Sequence, residues 1–166
     1  MEDFKSIVDE YYPIIYKIGR SFTSNAADFD DLYQEMLIQI HDSLKSFRSE
    51  SKLSTWIYRV ALNTALTFSR SDKKRQSETH TDKWDKIDRE EESDVAAQER
   101  ESRIEMLYVA INELKKEDRA IILLHLEGKQ YDEISEIMGI SQSNTGVKIM
   151  RIKNRLQTIL RRMGYE

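Results

Sequence analysis

Apolar residues recur along this chain at steps of three and four and nowhere alternate over the length of a strand, so the pattern predicts helices. Phe4, Ile7, Val8, Tyr11, Ile14, Ile15 and Ile18 mark a first helix over residues 4–22. Pro13 lacks an amide N–H and crowds the turn before it, so it is expected to kink or split that helix. Leu32, Met36, Leu37, Ile40 and Leu44 mark a second helix, with Asp28 or Asp30 as its cap. Beyond the polar loop Phe47 to Ser54, Ser54 is expected to cap a third helix from Thr55 to about Lys74. Its apolar face is Ile57, Val60, Ala61, Thr64 and Phe68.

The pattern fails over residues 76–100, which are polar and acidic, with Trp84 and Ile87 as exceptions. Such a segment buries too little surface to offset its ordering entropy and reads as a flexible linker; a solvated helix with one apolar edge is the alternative. Periodicity returns near Ser102. Ile104, Leu107, Val109, Ile111 and Leu114 mark one helix; Ile121, Ile122, Leu124 and Leu126, behind the acidic turn Glu117-Asp118, mark the next, and Gly128 ends it. Asp132 to Met138 is a short helix, Gly139 a tight turn, and Ser141 the cap of a long last helix with a buried stripe of Thr145, Ile149, Ile152, Leu156 and Ile159. The predicted fold is all-α: two small helical domains, residues 1–75 and 101–166, joined by an acidic linker at 76–100.

Composition narrows the classes. The chain has 166 residues, no cysteine and a net charge of −4. It therefore has no disulfide or thiolate metal site, which suits a reducing cytosol. No apolar run approaches the ~20 residues of a membrane span, and the start of the chain does not read as a secretory signal, so no membrane insertion is expected. The location of charge matters more than its sum. Residues 45–75 carry eight basic and two acidic side chains, net +6, whereas residues 76–105 carry five basic and eleven acidic, net −6. From Ile140 to Tyr165 no acidic residue occurs, but Lys148, Arg151, Lys153, Arg155, Arg161 and Arg162 do. Two cationic surfaces separated by acidic ones make two nucleic-acid contacts plausible.

On the last helix, the face opposite the apolar stripe carries Ser143, Val147, Met150, Arg151 and Asn154, flanked by Asn144 and Lys148. Asn, Ser and Arg bond base edges and Val touches a thymine methyl; Lys153, Arg155, Arg161 and Arg162 suit phosphates. A short helix, a tight turn and this cationic helix form the layout of a helix-turn-helix DNA reader; a packing helix with a solvated basic face is the bland alternative. On the third helix Trp56, Arg59, Asn63 and Arg70 fall on one side, an aromatic ring beside Arg and Asn that suits single-stranded DNA. Trp56 alone reads more readily as core. The loop with Arg48 and Lys52 is rich in small polar groups that could receive a flipped-out base, and Lys73, Lys74 and Arg75 add a phosphate patch. His41, His80 and His125 follow no metal-ligand spacing, and no phosphate-binding glycine loop or nucleophile elbow occurs, so no cofactor, metal or catalytic residue is assigned.

With these motifs in place, the chain resembles a bacterial sigma factor of the extracytoplasmic-function group. Asp30-Asp31-Leu32-Tyr33-Gln34-Glu35 is similar to the family's D-x-x-Q-E motif. Phe47 to Ser51, followed by Ser54 to Asn63, resembles its promoter −10 segment. Tyr131 to Ile134, Gly139 to Ser141 and Asn144 to Lys148 resemble its −35 reader. The resemblance implies a cytoplasmic initiation factor, not an enzyme, monomeric when free. It implies that Asp31, Leu32, Gln34 and Glu35 bind the β′ clamp helices of core RNA polymerase. Arg48, Lys52, Trp56, Arg59, Asn63 and Arg70 would meet the −10 element, and Ser143, Asn144, Val147, Lys148, Arg151 and Arg155 the −35 element. It further implies contact of the second domain with the β flap, and an anti-sigma partner. Three rivals stay open on the residues alone: a helix-turn-helix regulator that works without polymerase, a metal-dependent hydrolase built on Asp30, Asp31, Glu35 and His41, and a pure interaction module.

Overall fold

The computed structural model describes residues 3–68 and 95–165, and these form seven α-helices with no strand among them. Arg70, the basic run Lys73 to Arg75 and the expected linker from 76 to 94 lie outside the described residues. The first unit packs α1 (Phe4–Phe22), α2 (Ala26–Leu44) and α3 (Leu53–Thr67) against one another; the second packs α4 (Val95–Asn112), α5 (Lys116–Leu126) and α6 (Tyr131–Met138) around α7 (Gln142–Arg162).

Local rules explain most boundaries. Pro13 sits inside α1, yet the helix runs on without a break. Pro13 and Asp9, whose carbonyl loses its amide partner there, are both exposed, so water can satisfy that carbonyl. The cap of α2 is Asn25 rather than Asp28 or Asp30: the Asp28 amide donates to Asn25 Oδ1 at 2.8 Å, and Asn25 Nδ2 donates to Asp28 Oδ2 at 2.9 Å. An amide side chain both accepts and donates, so it closes a reciprocal cap that a carboxylate at that position could not. Ser54 likewise lies within α3, whose N-cap position is Lys52, and the described part of α3 ends at Thr67. In the second unit α4 is helical from Val95, where the described residues resume, so residues 95–100 are helical rather than linker. Gln130 caps α6 in a box with Glu133, and Gly139 ends it with φ +69, a left-handed conformation that glycine adopts without strain. Ser141 then caps α7 by accepting the Asn144 amide at 3.1 Å, as the sequence leads one to expect.

The core is continuous across both units. Ile18, Leu32, Met36, Ile40, Ile57 and Leu62 from the first unit join Ile111, Ile121, Leu124, Ile134 and Ile149 from the second in one buried cluster. The two units meet where α1 touches α4 and α5, and where α3 touches α5 and α6.

Candidate nucleic-acid interface

The α7 stripe behaves as its spacing requires. Thr145, Ile149, Ile152, Leu156 and Ile159 are all buried, pinning one side of the helix to α4, α5 and α6. Ser143, Asn144, Met150, Arg151, Asn154 and Arg155 are exposed, as is Val147, and Lys148 is at least partly accessible, so all six residues expected at the −35 element share the free side. Val147 and Met150 are large apolar side chains held 47% and 65% exposed on an otherwise polar face, which leaves them available to base methyls. A Cβ on Gly146 would lie 3.4 Å from the Tyr131 ring, in ordinary contact with the start of α6. At the far end Arg162 pairs with Glu113 of the α4–α5 turn, tying part of the cationic run back to the fold. His125, on α5, is held below its ordinary pKa by burial and by the nearby Lys153.

On the first unit the expected −10 residues spread over the loop and α3. Arg48 and Lys52 are exposed in the loop, where Ser49 adopts φ +58, a left-handed conformation that side chains other than glycine and asparagine rarely take. Trp56 satisfies both readings: it is half-buried against the core, and its ring lies 5.2 Å from that of Phe47 at the loop's start. Asn63 is exposed. Arg59 is partly exposed, and its guanidinium lies 3.7 Å from Glu136 of α6.

On α2, Asp31 is exposed and Gln34 and Glu35 lie close by, where Gln39 donates to Glu35 at 3.0 Å. Leu32, expected beside them as a polymerase contact, instead points into the core with none of its surface exposed, since it follows the Leu32, Met36, Ile40 stripe. The apolar position that shares the exposed face with them is Ile38, 51% exposed and three or four residues on from Glu35 and Gln34; helical spacing alone would have found it. His41 lies edge-on to the Phe4 ring and beside Asp42, and among the described residues no three His, Asp or Glu side chains gather as a metal site would require.

Spacing and composition offer no sign of the ion pairs between the units. Arg20, 4% exposed, donates through Nη2 to both carboxylate oxygens of Glu105 at 2.9 and 2.8 Å and through Nη1 to the Tyr16 hydroxyl at 2.9 Å. Burial by itself would lower the Arg20 pKa; Glu105 and Tyr16 more than offset it and hold it above the ordinary value.

Similarity to known proteins agrees with this geometry. Residues 7–75 match the sigma-70 region 2 family model and residues 104–156 that of sigma-70 region 4. The ECF RNA polymerase sigma-E factor of Escherichia coli is 31% identical over 152 residues, covering 82% of this chain and 78% of the relative. The sigma-E factor of Haemophilus influenzae is 31% identical over 145 residues, covering 80% and 77%. Among solved structures, the sigma factor RpoE in complex with the anti-sigma factor NepR from Bartonella quintana superposes with a TM-score of 0.68 at 21% identity, over 97% of this chain and 98% of that one. CnrH in complex with the cytosolic domain of CnrY gives 0.62 at 20% identity, over 95% and 86%. With both regions present in order and relatives covered over most of their length, the chain belongs to the extracytoplasmic-function sigma factors, which direct promoter-specific initiation by RNA polymerase and are not enzymes.

Proposed function

We propose that the two units divide the work of initiation. The first, residues 1–75, docks on the β′ clamp helices through Asp31, Gln34 and Glu35. It engages and opens the −10 element through Arg48, Lys52, Trp56, Arg59 and Asn63, together with Arg70. The second, residues 101–166 together with the start of α4, rests on the β flap and lays α7 along the major groove of the −35 element. There Ser143, Asn144, Val147, Lys148 and Arg151 meet base edges and Arg155 a phosphate. The observation that carries this reading is the two-faced α7: its apolar stripe is wholly buried, while the residue types that read bases share the free side.

The place of action is the cytoplasm, where RNA polymerase works. No helix among the described residues is long and apolar enough to cross a membrane. RpoE stands in complex with the anti-sigma factor NepR, and CnrH in complex with the cytosolic domain of CnrY; these pairings support an anti-sigma partner for this chain too. A run-off assay with purified core polymerase on a promoter library tests the proposal. Transcripts from a shared subset, with two common motifs upstream of the start, are the expected result. Transcription no different from core alone overturns it.

A further inference from the structure

Two apolar side chains of α7 have no use in the fold. Val147 and Met150 are the exposed large apolar residues of this helix, and among the described residues neither belongs to the buried core nor packs against it. The helix packs through a different side, with Thr145, Ile149, Ile152, Leu156 and Ile159. An apolar group left in water gains nothing for the folded chain, so its worth lies in what it meets on binding. The surroundings say what that is. Lys148 and Arg151 stand beside the pair, and no acidic residue occurs from Ile140 to Tyr165. Apolar side chains on a cationic face fit a polyanion with apolar groups between its charges. The major groove of DNA is such a surface, and the C5-methyl of thymine is the apolar mark on its base edges.

We propose that Val147 and Met150 together form a methyl reader, which makes thymines at two neighbouring base pairs a requirement of the −35 element. The inference deepens the reading of α7 as the −35 helix and rests on it. It adds Met150, which is absent from the base-contacting set above, and the chemical group that the pair recognises. Three residues apart on one helix, the two side chains share a side and are separated by about 4.5 Å along the axis. Neighbouring base pairs are about 3.4 Å apart, so the pair matches one base step. Val147 is β-branched and stiff, which fixes its methyls in place. Met150 is unbranched and polarizable, so it adapts to the remaining difference in spacing. A cytosine offers an amino donor there and no methyl; an apolar side chain would strip its water without replacing the hydrogen bond. The pair therefore favours thymine and disfavours its pyrimidine rival.

The test removes the methyl and nothing else. The −35 motif shared by the run-off transcripts is placed in promoter fragments in which each thymine in turn becomes deoxyuridine, which keeps the pairing edge. The fragments compete for the full chain assembled with core polymerase. Two neighbouring positions should each lose about fourfold in affinity, the worth of one buried methyl group, and the others should not change. Met150→Ala should erase the loss at one of these positions and Val147→Ala at the other. Met150→Leu, still apolar and of similar volume, should keep it. Because each loss answers to one side chain, a general effect of the missing methyl on DNA stiffness is told apart. A motif without neighbouring thymines, no loss at any position, or losses that both alanine variants leave untouched overturn the methyl reader, while the −35 assignment of α7 stands. Assembled polymerase that binds promoters equally well with the −35 motif intact or scrambled overturns that assignment, and the methyl reader with it.

Discussion

Ile152 and Val147 sit five residues apart on one helix and have opposite tasks, because a turn of about 100° per residue sends one inward and the other out. Ile152 is buried under the other helices of its unit. Ile152→Ala should therefore cost roughly 2–5 kcal/mol of stability, about 10 °C in melting temperature, through lost burial and the cavity left behind. Val147→Ala should leave melting unchanged and weaken binding to the selected promoter duplex by about 1 kcal/mol, with little effect on random duplex. Calorimetry and fluorescence anisotropy on the two variants check both halves; a melting loss in the Val147 variant would place that side chain in the core. This division was legible from spacing alone, as was the buried stripe around it. Leu32 was legible by the same rule, yet it was also expected at the polymerase contact. It stands inside a motif whose resemblance names it with its polar neighbours, while its own spacing to Met36 and Ile40 sends it inward.

At the scale of elements, what decides the first unit is how closely α1 and α2 approach. A Cβ on Gly19 would fall 2.6 and 2.9 Å from two atoms of the Phe29 ring, and that ring is stacked on Tyr33 and edge-on to Tyr16. The ring has neighbours on both sides and nowhere to swing, so Gly19→Ala should destabilise by about 1–3 kcal/mol despite alanine's better helix propensity. Urea denaturation gives the answer, and a neutral or stabilising result would show that the helices separate easily. Glycine inside a helix was the only sequence signal, and it does not say which ring fills the space. Helix number and order were readable throughout, because the period of about 3.6 is local. The ends were less so. Asn25 won over Asp28 through a two-way amide cap, and α4 is already helical at Val95, since a helix anchored at its buried turns, Ala110 and Ile111, extends outward from them at little further cost. The pairs Lys17–Glu127 and Arg20–Glu105 were invisible, since nothing in a sequence links charges 110 and 85 residues apart.

For the whole molecule, the closed packing is uneven in what it covers. The second unit lies against α1 and α3, and α2 packs on those same two helices while keeping Asp31 and Ile38 exposed. The outer face of α7 is exposed as well. If α2 carries the polymerase contact and α7 the −35 contact, the two are separate surfaces whose changes should not couple. A charge reversal on α2 should then separate the two events. Asp31→Lys with Glu35→Lys removes two carboxylates from the outer side of α2, where side-chain replacement costs little stability, so melting should change by less than about 0.5 kcal/mol. The unaltered chain should co-elute with core polymerase, and the reversed variant should not. Binding of the variant to −35 duplex should persist, since α7 does not depend on α2. A reversed variant that still co-elutes would remove Asp31 and Glu35 from the docking face. One that loses −35 binding as well would show that the reversal disturbs the fold, and the independence of the two surfaces would fall.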